Sequence, residues 1–130
     1  MAHSIIEFKD KSIRVHDLDL AVACFLLMEQ GRAAGSAFVD NLFEDWVDSI
    51  SFDGPGCIDL HLNENLVDAK TVQALRDLIT LTMKSLNAES DLYSKEKLNF
   101  IFAKAKICLK SDYRVDLIRD ALVKLRSLVE

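Results

Sequence analysis

Cys57, Asp59 and His61 come nearest to a set of side chains that could do chemistry. They alternate with Ile58, Leu60 and Leu62, so in an extended segment they share one face. A thiol, a carboxylate and an imidazole on one face suggest a nucleophile with its base, or part of a metal site. Distance argues against the first reading. At ~3.3 Å per residue Cys57 and His61 lie about 13 Å apart, whereas a nucleophile and its base must approach to ~3 Å. Asp59 and His61 supply two ligands where zinc takes three or four, and His16 would join them only if its strand lay alongside.

Four glycines leave no room for a phosphate-binding loop or a dinucleotide fingerprint, and Gly54-Pro55-Gly56 reads as a turn. There is no Gly-x-Ser-x-Gly elbow and no His-Glu-x-x-His helix. The expectation is therefore no catalytic residue, no metal ligand and no cofactor. An enzyme without a recognisable motif stands as an alternative. A deep pocket gathering His61 or His16 with two carboxylates would be its sign.

The acidic residues carry the second constellation. Between Arg32 and Lys70 the chain has no Lys or Arg but eight acids: Asp40, Glu44, Asp45, Asp48, Asp53, Asp59, Glu64 and Asp68. Residues 1–68 hold 13 acids and 4 bases, while residues 69–130 hold 8 acids and 12 bases. The net charge of −5 thus hides an acidic half and a basic half. Asp40, Glu44 and Asp48 are four residues apart, a single ladder on a helix, and Asp45 widens it. Like charges at that spacing cost a few tenths of a kcal/mol per pair. The last helix offers a contrast: its ladder Asp112, Asp116 and Asp120 has Arg119 and Lys124 within i+3 or i+4 as relief.

An unrelieved ladder reads as a docking face for a basic partner. It reads equally as a solvated face, or one paired within the fold with Lys97, Lys104, Lys106 or Lys110. The candidate binding residues are Asp40, Glu44, Asp45 and Asp48, with Asp53 and Asp59 next. Phe43 and Trp46 lie among these acids in the pattern of interface anchors, but their spacing places them in a core stripe.

Three classes of partner or location follow from bulk properties. A pI near 5.2 argues against nucleic acid and against anionic membranes as partners. The longest apolar run, Leu20 to Met28, is far short of the ~20 residues of a membrane span, and the N-terminal residues do not form a secretory signal. Three widely spaced cysteines, Cys24, Cys57 and Cys108, cannot all pair within one chain and suggest a reducing, cytoplasmic setting.

The elements that must position these residues follow from periodicity. Ser4–Phe8 and Ser12–His16 alternate around Lys9-Asp10-Lys11 as a hairpin, with Ile6, Phe8, Ile13 and Val15 inward. Leu18–Met28 is apolar all round, a buried helix capped by Asp17 or Asp19 and ended by Gly31. A second helix, 37–49, starts at Ser36 with the stripe Val39, Leu42, Phe43, Trp46 and Ile50. Residues 57–62 alternate as a third strand. Three helices complete the chain: one from the Asp68 cap to Asn87; one from Ser94 with stripe Leu98, Ile101, Phe102, Ala105 and Leu109; and one from Ser111 or Asp112 with stripe Val115, Ile118, Leu122, Leu125 and Val129.

The expected fold is α+β: a small antiparallel or mixed sheet of about three strands covered by about five helices, in the order β-β-α-α-β-α-α-α, as one domain over residues 1–130. Cys24 and Cys108 fall in apolar helical segments and are expected in the core. The leading functional expectation is a non-enzymatic cytoplasmic protein-binding module. It would be an acidic inhibitor or immunity-type protein that blocks a basic, nuclease-like surface. The alternative is a small acidic dimeric secretion or assembly chaperone. It would bind through the outward hairpin face or the Val115–Val129 seam, which also makes a homodimer possible.

Overall fold

Alternation in the first sixteen residues does produce a hairpin: β1 (His3–Phe8) pairs antiparallel with β2 (Lys11–His16), with Ile6 opposite Ile13. The structure is a computed structural model that describes residues 2–35, 41–89, 91–102 and 107–130. Ile6, Phe8 and Val15 are buried and Ile13 half-buried, while Ile5, Glu7 and Arg14 face solvent. Lys9 takes a positive φ of 55° in the two-residue turn, the conformation such turns require. Its N–H donates to Asn63 Oδ1 at 2.8 Å.

α1 (Asp17–Ala33) is the spine, as its unbroken apolar run requires. Leu20 to Met28 are all buried, and the helix packs against β2 and four other helices. Each large apolar side chain taken fully from water contributes ~1.5–3 kcal/mol, so this one element anchors the core. Gly31 does not end the helix. It lies inside it, where a Cβ would stand 2.7 Å from the Phe43 ring, so the residue permits close approach and is no stop signal. Nor do Asp17 and Asp19 cap α1 with their side chains. The cap position is His16, and the two acids reach to other elements.

α2 (Leu42–Phe52) buries Leu42, Phe43, Trp46 and Ser49. Its expected start at Ser36, together with Ala37 and Val39, lies outside the described residues. The expected third strand is absent as a strand. Residues 57–61 bury Ile58 and Leu60 as their alternation implies, but they form no ladder. His61 then turns with φ 51° into α3 (Leu62–Asn65).

α4 (Ala69–Leu86) begins and ends where its sequence indicates. The Asp68 carboxylate accepts from Thr71 N, and the Thr71 hydroxyl oxygen accepts from Asp68 N, a reciprocal cap. These bonds hold the Asp68 carboxyl below its usual range. Asn87 ends the helix. α5 (Lys95–Ile101) is capped by Ser94, and α6 (Val115–Leu128) runs nearly to the C-terminus. Ser111 and Asp112 do not cap α6. Arg114 holds that position, and Asp112 accepts instead from Lys95 N.

Two short strands, β3 (Leu92–Tyr93) and β4 (Tyr113–Arg114), pair antiparallel beside these helices. The fold is α+β, but with two separate two-stranded sheets among the described residues in place of one three-stranded sheet. β4 is tied to the spine by Tyr113, whose hydroxyl donates to Asp19 Oδ1. Burial and that bond push the Tyr113 phenol well above its ordinary range.

The stripe Val115, Ile118, Leu122, Leu125 and Val129 is buried, and α6 packs on α1, α4 and β2. This seam is packed inside the fold. Cys24 is fully buried, and burial pushes its thiol well above the ordinary range. Cys108 is exposed, contrary to its apolar surroundings in sequence, and so is Cys57. No helix among the described residues is long and apolar enough to cross a membrane.

Candidate functional site

Two buried hydroxyls explain both the missing ladder and the arrangement of the acids. Consecutive N–H groups of an extended segment point to opposite sides. Ile58 N donates to Ser4 Oγ of β1 at 3.1 Å, and Asp59 N donates to Ser49 Oγ of α2 at 2.8 Å. Each serine hydroxyl donates to a carboxylate: Ser4 to Asp17 Oδ1 at 2.6 Å, Ser49 to Asp53 Oδ2 at 2.6 Å. On the α2 side the indole N–H of Trp46 donates to the Leu60 carbonyl at 2.8 Å. Two N–H groups and one carbonyl of the segment are therefore met by side chains on both flanks, and alternation of burial survives without a strand partner.

The same clamps gather residues distant in sequence. Ser49 holds Asp53 and Asp59 beside the C-terminal half of α2. Asn65 Nδ2 donates to Asp45 Oδ2 at 3.1 Å and to the His61 carbonyl at 2.9 Å, joining α3 to α2. Asp59 accepts from His61 N through Oδ1, and its Oδ2 lies 3.8 Å from His61 Nδ1. Asp45, Asp53 and Asp59 thus belong to one cross-linked surface. Glu44 and Asp48 stand exposed on the outer ridge of α2, and neither is in an ion pair among the described residues. Asp40 lies outside the described residues.

The same ridge carries a residue that the sequence reading missed. Phe52 follows Asp48 by four positions and is 80% exposed. The i+4 spacing from Glu44 and Asp48 was the available signal, since Ile50 and not Phe52 continues the buried stripe. Phe43 and Trp46, by contrast, are each 1% exposed and belong to the core.

Of the basic residues that could have neutralised α2 internally, Lys97 pairs with Glu89 at 3.4 Å. Lys104 and Lys106 lie outside the described residues. The contrast helix is relieved differently from its sequence spacing. Asp116 pairs with Arg114 at 2.6 Å, which lowers its carboxyl, while Arg119 donates to Asn87 and Lys124 to the Arg14 carbonyl.

The chemical reading of Cys57, Asp59 and His61 reduces to the Asp59–His61 pair. Among the described residues no three His, Cys, Asp or Glu side chains gather in a way that could hold a metal ion. His16 stacks edge-on against His3 across the hairpin, ring centroids 5.3 Å apart. Comparison with known protein families, with curated proteins and with solved structures finds no match to this chain.

Proposed function

We propose that this protein is a cytoplasmic protein-binding module of the inhibitor or immunity type, whose α2 ridge covers a basic surface on another protein. The observation that carries the reading is the outer edge of α2. Glu44, Asp48 and the exposed Phe52 succeed one another at four-residue intervals, and the two acids have no cationic partner among the described residues. An aromatic ring flanked by uncompensated acids suits a partner rich in Arg, whose guanidinium can bond a carboxylate and lie over a ring face. Active sites that handle polyanions are basic, so an acidic plug competes well there and associates quickly through long-range attraction.

Preorganisation supports the same reading. Asn65 and Ser49 hold Asp45, Asp53 and Asp59 in place before any partner arrives, which lowers the ordering cost of association. The proposed set is Glu44, Asp45, Asp48, Phe52, Asp53 and Asp59.

Salt provides the test. A partner captured on the immobilised protein at low ionic strength should leave as ionic strength rises to about 1 M, where the screening length falls to about 3 Å. A partner that stays through that wash is held by apolar surface, and the reading fails.

A further inference from the structure

We infer that a groove between the start of α1 and the turn after α2 seats one arginine side chain of the basic partner, an inference that rests on the function proposed above. The groove is open to solvent, with a volume of about 280 Å³, and is walled by Leu18, Ile50, Pro55 and Ile58, with Asp17 and Asp53 among its lining residues. No Lys, Arg or His is among its described lining residues.

Its two carboxylates are fixed by the serine clamps. Asp17 accepts from Ser4 Oγ through Oδ1 and from Gly56 N at 2.8 Å through Oδ2. Both its oxygens are engaged, so it acts mainly through its charge. Asp53 is different: Oδ2 accepts from Ser49, and Oδ1 has no partner among the described residues. Asp53 is exposed and lines a groove whose remaining described walls, Asp17 and Gly54 apart, are apolar.

Charge and polarity together select the occupant. A wholly apolar side chain would cover the walls but would take water from Asp53 without replacing its hydrogen bond. A short cation would reach the carboxylate and leave the walls uncovered. Arginine answers both, with a methylene stem for the apolar walls and a guanidinium for Asp53 Oδ1. Its planar, weakly hydrated head can bond a carboxylate and lie against the apolar walls, which the compact, strongly hydrated ammonium of lysine cannot. The groove opens at the end of the same helix that carries Glu44, Asp48 and Phe52, so one basic surface could engage both.

The test is NMR titration of the ¹⁵N-labelled 130-residue chain with N-acetyl-arginine methylamide, and separately with the citrulline analogue, which keeps the shape and loses the charge. The expected result is saturable shifts at the amides of Leu18, Ile50 and Ile58 with arginine, and binding about tenfold weaker with citrulline, since a hydrogen bond to a charged group is at stake. Asp53→Asn should reduce arginine binding to the citrulline level. The comparison of the two amides on the unaltered protein stands whether or not that variant folds. Equal binding of both amides, or no saturable shift in the groove up to about 50 mM, overturns the inference.

Tri-lysine, titrated in parallel, separates this inference from the one beneath it. Arginine shifts confined to Glu44 and Asp48, the residues tri-lysine also moves, would sink the groove and leave the α2 ridge standing. Groove binding by arginine, together with partner capture that resists salt, would uphold the groove and sink the ridge.

Discussion

Replacing Ser4 by alanine removes one hydroxyl and opens two hydrogen bonds. Ser4 has no exposed surface. Its Oγ donates to Asp17 and accepts from the buried Ile58 N–H. The lost bond to a carboxylate is of a kind worth ~1.5–3 kcal/mol. The low end applies, because Asp17 is half-buried and regains some water. The abandoned Ile58 N–H adds a desolvation cost of ~1–3 kcal/mol, since nothing else in the core replaces its acceptor. The sum is about 3 kcal/mol, a large part of the 5–15 kcal/mol that holds a typical domain together. For a chain of this length that is a fall in Tm of about 10 °C. Urea unfolding should show the loss as a lower midpoint at unchanged slope. Ser12→Ala, at an exposed hairpin position, should stay within about 0.5 kcal/mol. If Ser4→Ala also stays within that range, residues 57–61 are held by the packing of Ile58 and Leu60, and the serine clamp is not their anchor.

Three other perturbations test the fold from different sides. Gly31→Ala gains about 1 kcal/mol of helix propensity, yet its Cβ would meet the buried Phe43 ring at 2.7 Å. Overpacking of that kind costs ~1–3 kcal/mol, so thermal unfolding should show a net loss. For Tyr113, the folded protein holds the phenol proton more tightly than the unfolded chain, whose value is 10.0. Its contribution is whole below that pH and is lost as pH rises above it, and Cys24 acts with the same sign from 9.0 upward. Denaturant midpoints should therefore decline in alkali, and Tyr113→Phe should flatten the portion above pH 10. Maleimide should label Cys57 and Cys108 in the native protein and Cys24 only after unfolding, counted by intact mass.

Much of the architecture was legible because burial leaves a period in the sequence. The hairpin, the spine α1 and the buried stripe of α6 all follow from spacing, and Asp68, Ser94 and Asn87 mark true helix boundaries. Residues 57–62 show the limit of that signal. Alternation reports that two faces differ, and the segment meets it with Ser4, Ser49 and Trp46 in place of a neighbouring strand. Asp17 and Asp19 look like caps in sequence, but their partners Gly56 and Tyr113 are remote along the chain and brought near only by folding. Gly31 carried the same ambiguity: a stop signal and a site of close approach are the same letter. α3, β3 and β4 are too short to show a period at all.

The candidate acids were legible as an unbalanced run, and the structure adds what a run cannot say. Asp45, Asp53 and Asp59 are cross-linked to α2 and α3, whereas Glu44 and Asp48 project from the ridge. Phe52 closes α2 on the same ridge, four residues after Asp48, and its ring lies outside the core.

The most direct measurement is parallel capture from one lysate, at low salt, on the unaltered protein and on Glu44→Lys/Asp48→Lys. Both positions are exposed, and the unfolding midpoint of the variant should match the parent within about 0.5 kcal/mol. The account predicts a basic protein bound in stoichiometric amount by the parent and lost from the variant. Equal recovery of that protein on both columns would contradict it.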